Sequence, residues 1–90
     1  MTAGLEDLRR EVERVDREIV RLVAERVRLA REIGRHKREV DRATLDAARE
    51  AAVVREGAAM GREAGLDPED ARDLFWTLIG ICRKVQLEGQ

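Results

Sequence analysis

The stretch Leu5–Val40, LEDLRREVERVDREIVRLVAERVRLAREIGRHKREV, decides how the rest of the chain has to fold. Its apolar residues Leu5, Leu8, Val12, Val15, Ile19 and Leu22 recur at steps of three and four, and Leu29, Ile33 and Val40 continue the stripe. That spacing is the period of an α-helix with one apolar face. Only Gly34 interrupts the helix formers, and a lone glycine costs about 1 kcal/mol there. Such a helix is roughly 54 Å long at 1.5 Å per residue, whereas a compact globule of this chain's size has a radius of gyration of about 12 Å. The helix therefore overhangs its own domain, and its stripe stays wet unless a second chain covers it. The expectation is an intertwined homodimer with antiparallel first helices and a two-fold axis near Ile19 to Leu22.

Outward from this helix, Asp41 to Thr44 reads as a short turn with Thr44 as a possible N-cap, and a second helix follows over about 45–63. Gly61, Gly65 and Leu66-Asp67-Pro68 then punctuate the chain. Asp67 as N-cap, Pro68 at the first helical position and Glu69-Asp70 behind it start a third helix, over about 68–88. Its inward face is expected to carry Ala71, Leu74, Phe75, Leu78, Ile79, Cys82 and Val85. The fold class is all-α: a three-helix protomer, one domain over residues 1–90.

Composition agrees. Charged residues are 41% and aromatics 2%, the vocabulary of long helices rather than of sheets. The net charge of −1 offers no global field to nucleic acid or an anionic membrane, so any cationic site must be local. Cys82 is the only cysteine, which leaves no internal disulfide and no cysteine-based zinc site. No run of 18 apolar residues and no signal-peptide core is present, so the expectation is a soluble, cytoplasmic protein.

Function is signalled where polar residues interrupt the apolar pattern. Arg26 sits on the seam, three before Leu29 and seven before Ile33, where a guanidinium costs several kcal/mol unless paired or held for a ligand. Lys37 lies three turns on at nearly the same face, with Ala30 and Ile33 between as floor and wall. On the second helix Asp46, Arg49 and Glu50 stand at i, i+3 and i+4, leading into Val53 and Val54. On the third, Gln86 follows Cys82 by four and Ile79 by seven. Together these intrusions outline one pocket seen from several walls. Singly, each has a plainer reading: a salt bridge for Arg26, a solvated first turn for the Asp46 set, a chain-end residue for Gln86. His36 reads as a packing residue or a frayed-end residue, and the run Arg35 to Glu39 as a solvated face. Trp76 lies off the inward stripe and is assigned no chemistry.

The pattern Leu8-Arg9-x-x-Val12-x-x-x-Asp16-x-x-Ile19, then Ala24-Glu25-Arg26, Ile33-Gly34-x-x-Lys37, Asp46-x-x-Arg49-Glu50 and Gln86, resembles the all-helical chorismate mutases over about Leu5 to Gln86. The resemblance implies rearrangement of chorismate to prephenate, an isomerase step in aromatic amino-acid or related biosynthesis, with no metal and no cofactor. It implies that Arg9 crosses the dimer to bind a substrate carboxylate, and that Arg26 grips a carboxylate in its own chain. Lys37 and Gln86 are implied as donors to the ether oxygen, and Arg49 lies near the ring carboxylate. Asp46 and Glu50 are implied to orient the ring hydroxyl and neighbouring cations. Family members often carry serine where Cys82 stands, and a thiol is a weaker donor. Independently, Arg9 precedes Arg26 by about 26 Å of helix and cannot serve the pocket of its own chain.

Two enzyme alternatives use the same fold on related substrates: an isochorismate-pyruvate lyase and a 4-amino-4-deoxychorismate mutase. A non-catalytic helical dimerisation or regulatory module is the alternative from another class, although a plain coiled coil has no need of Arg26, Lys37 and the Asp46 set.

Overall fold

The computed structural model describes residues 4–40 and 46–88. Three helices follow in order: α1 (Leu5–Glu39), α2 (Ala47–Glu63) and α3 (Pro68–Gln86). The expected first helix ended one residue later and the third two residues later; Val40 and Leu87 are instead the C-caps. The expected turn from Asp41 to Thr44, the possible cap at Thr44 and the expected second-helix start at Leu45 lie outside the described residues. The N-cap of α2 is Asp46, whose carboxylate accepts the Arg49 backbone N–H at 3.0 Å.

The long first helix makes the chain an elongated body, 59 × 24 × 14 Å, with a radius of gyration of 16.6 Å. Helix α3 is the centre of the packing. It contacts both α1 and α2, which do not contact each other among the described residues. The α2–α3 connection is a tight hairpin. Gly65 adopts φ +88°, the left-handed conformation that favours glycine just past a helix end. The next N–H, of Leu66, returns to the Gly61 carbonyl at 2.8 Å. Asp67 then caps α3 by accepting the Glu69 N–H at 2.8 Å, with Pro68 at the first turn.

Small residues set how closely the helices approach. Gly57 lies against the Phe75 ring and Gly61 against Ala71, so a Cβ at either would collide with α3. Gly61 is thus an interior packing residue of α2, not the punctuation expected of it. Gly34 does the same on α1. A Cβ there would come within 2.8 Å of the Gln86 carbonyl oxygen. Buried Ala30, Val54, Ala58, Ala71, Ile79 and Cys82 form the small core.

The face of α1 that closes on α3 is Val23, Val27, Ala30 and Gly34, not the stripe of Leu and Ile residues. The latter stays on the surface of the chain: Leu8, Ile19 and Leu22 are each 53% exposed and Val12 59%. Leu74, expected to face inward, is exposed as well, and so is Trp76. Leu74 falls at the edge of the face that Ala71, Phe75, Ile79 and Cys82 share. Among the described residues no helix is long and apolar enough to cross a membrane.

Candidate functional site

A pocket of about 260 Å³ opens where the three helices meet. Helix α1 contributes Arg26, Leu29, Ala30 and Ile33, α2 contributes Arg49, Glu50 and Val53, and α3 contributes Ile79, Cys82, Arg83 and Gln86. Residues spaced by three and four on each helix share a face, so Arg26 and Arg49, 23 positions apart in sequence, reach one cavity from helices that do not contact each other among the described residues.

The Arg26 guanidinium is half-buried and donates to Cys82 Sγ at 2.9 Å. The buried thiol therefore accepts from the arginine that the sequence marked as misplaced, and it steadies that side chain at the pocket wall. The plainer expectation, an ion pair for Arg26, has no counterpart among the described residues. On α2 the Asp46 cap winds the first turn and sets Arg49 and Glu50 toward the cavity. The Gln86 backbone is seated by two contacts: Arg38 Nη1 donates to its carbonyl at 2.9 Å, and Gly34 leaves room for it.

Five of the eight expected site residues thus come together: Arg26, Arg49, Glu50, Cys82 and Gln86. Three do not line the cavity. Lys37 is half-buried on α1, one turn beyond Ile33. Asp46 is exposed and its carboxylate is committed to the helix cap. Arg9 is exposed far along α1 and pairs with Glu6 at 2.9 Å, as a helix of this length requires.

Sequence reasoning missed Arg83. Its guanidinium grips both carboxylate oxygens of Glu50, through Nε at 3.2 Å and through Nη2. These hydrogen bonds raise the arginine further above its already high ordinary value, so it is fully charged. The available signal was its position, four after Ile79 and three before Gln86. The pocket is lined by three guanidiniums and a single carboxylate, an excess of positive charge suited to an anion with more than one negative group. Among the described residues no cluster of three or more His, Cys, Asp or Glu side chains is placed to hold a metal ion.

The family model for chorismate mutase type II matches residues 8–87. The chain belongs to the chorismate mutase type II family. This family is one of isomerases, and its match takes in α2, α3, all but the first three residues of α1 and every pocket-lining residue. No curated protein and no solved structure matches the chain. As a chorismate mutase family domain, the chain has in chorismate the substrate that its family implies. A wall of arginines around an apolar pocket floor is what that substrate's two carboxylates call for.

Proposed function

We infer that the protein, as one domain, rearranges chorismate to prephenate within an antiparallel homodimer. The observation that carries this is the convergence of Arg26, Arg49 and Gln86 from three helices on one recess with an apolar floor of Leu29, Ala30, Ile33, Val53 and Ile79. The reaction is pericyclic. One carbon–oxygen ether bond breaks as one carbon–carbon bond forms, and no nucleophile or proton transfer is needed. The protein has to hold the compact, diaxial conformer and stabilise charge that develops on the ether oxygen.

The chain's residues divide this work. Arg26 and Arg49 grip the carboxylates, because planar guanidinium forks fit them in two-pronged fashion. The Gln86 amide donates to the ether oxygen, and Lys37 joins it there when substrate and the second subunit complete the site. Glu50 faces the ring hydroxyl. Asp46 acts through the backbone, by capping the turn that presents Arg49 and Glu50. Cys82 holds Arg26 in place.

The dimer supplies the remaining cation. The exposed stripe Leu5, Leu8, Val12, Val15, Ile19 and Leu22 is a long apolar seam of the kind that pairs with a second helix. An antiparallel partner, crossing near Ile19 to Leu22, brings Arg9 of one chain to the Arg26 pocket of the other. The seam residues Leu29 and Ile33 also border the pocket, which is why the same partner helix can close it.

The test is loss of chorismate absorbance on adding pure protein, with prephenate identified as product, run beside isochorismate and the 4-amino analogue. Turnover of chorismate well above the other two is expected. Pyruvate release from isochorismate at a higher kcat/KM would reassign the enzyme, and no turnover of any of the three would end the catalytic reading.

A further inference from the structure

Glu50 presents a problem to any dianion that enters the pocket. It is the one carboxylate in the lining, its side chain is only 20% exposed, and repulsion at short range is as strong as the attraction of a guanidinium at the same distance. Arg83 answers it. It stands on α3 and reaches across to α2, with Nε 3.2 Å from Glu50 Oε2 and Nη2 on Oε1. A two-pronged pair of this kind fixes orientation as well as charge. Arg83 has no other hydrogen-bonding or ionic partner among the described residues, and none of the residues implied by the family resemblance corresponds to it. Lysine could match the charge but not the fork.

We propose that Arg83 is a positioning residue of the pocket: by chelating Glu50 it draws that carboxylate to the α3 wall and cancels its charge toward a dianionic substrate. Binding, rather than the bond-breaking step, then depends on Arg83. The inference rests on the chorismate reading above. A plain staple between α2 and α3 would behave differently, since its removal would lower the melting temperature and leave KM unchanged.

Steady-state kinetics with chorismate on the full-length protein, alongside circular-dichroism melting, decide between the two. Arg83→Gln raises KM on the order of tenfold, while kcat stays within about twofold. Arg83→Lys restores charge without the fork and brings KM back to about two- to threefold above the parent. Adding Glu50→Gln to Arg83→Gln lowers KM again relative to the single variant, because the unneutralised carboxylate is gone while the glutamine amide still faces the ring hydroxyl. An unchanged KM in Arg83→Gln, or a double variant that binds no better than the single one, overturns the proposal. Should Arg83→Gln fail to fold, Arg83→Lys carries the test, and a parental KM there overturns it. An inactive parent protein would remove the functional reading itself, whereas an active parent with an unchanged variant KM removes only the role of Arg83.

Discussion

From Leu5 to Leu22 every residue of α1 is exposed, and its side chains meet chiefly one another: Arg9 with Glu6, Arg10 with Asp7, Arg14 with Glu11 and Arg21 with Glu18, all at 2.8–3.0 Å. From Val23 to Arg38 one face of the same helix closes on α3, and the opposite edge of that face lines the pocket. The residue types hardly differ between the halves. What differs is that the second half has small residues, Ala30 and Gly34, where α3 needs to come close. Exposed ion pairs at three residues' spacing are worth only a few tenths of a kcal/mol each, so they do not by themselves hold about 27 Å of isolated helix. The bare half is the part for which we propose a partner chain. The packed half already holds the cavity's first wall.

The sharpest way to test this division is to remove the cations of the packed half one at a time. Arg26→Ala, in the packed half, is expected to cut turnover of chorismate by about a hundred- to a thousandfold with helicity retained. Near-parental kcat/KM would mean that Arg26 only packs. Lys37→Ala is expected to act in the same direction, and comparable activity in both variants would empty the pocket of its assigned chemistry.

The next largest effect joins the halves. If Arg9 serves the partner's pocket, Arg9→Ala and Arg26→Ala are each inactive alone. After unfolding and refolding together, half of the dimers are mixed and each has one intact pocket. The mixture then recovers about a quarter of the parental activity. No recovery, with dimers verified by light scattering, would place Arg9 outside the site or the first helices parallel.

Smaller effects sharpen what makes the packed half pack. Gly34→Ala pushes a methyl into the Gln86 carbonyl, whose oxygen lies 2.8 Å from where the Cβ would be. A loss of about 1–3 kcal/mol is expected, together with a fall in kcat as Gln86 is displaced. An unchanged urea midpoint would show that the end of α3 yields freely. A swap to alanine at Val12, in the bare half, leaves no such clash within the chain.

Smallest is the cap. Asp46→Ala removes the acceptor of the Arg49 N–H and is expected to cost about 1 kcal/mol, or roughly 4–8 °C in Tm for a domain this size, with KM raised only modestly. A KM rise beyond tenfold without a stability change would show that Asp46 touches the substrate directly.

Much of the fold was legible because it is local. The three-and-four spacing of Leu5 to Val40, the Asp67-Pro68 start of α3 and the glycine at position 65 each express a preference within a few residues, and those preferences needed no partner to act. The pocket was legible in part for the same reason. Arg26, Arg49, Glu50 and Gln86 stand out as polar groups on apolar faces, and Cys82 entered only through the family resemblance. Arg83 did not stand out, since one arginine among many charged residues on α3 looks solvated until its partner, 33 residues earlier, is brought beside it. Asp46 looked like a ligand for the opposite reason: its role as a cap is decided by where α2 begins.

By itself, then, the sequence determined the number, order and approximate length of the helices, the overhang of α1 and the unsatisfied apolar seam along it. These follow from periodicity, composition and the rise per residue, which are properties of one helix at a time. Only the tertiary structure decided which side of α1 meets α3, which carboxylate Arg83 neutralises, and that Cys82 is the partner of Arg26. Those outcomes depend on the rotation of one helix against another. That rotation is set by close approach at Gly34, Gly57 and Gly61, residues that carry no side chain and so leave no mark in a hydrophobic pattern.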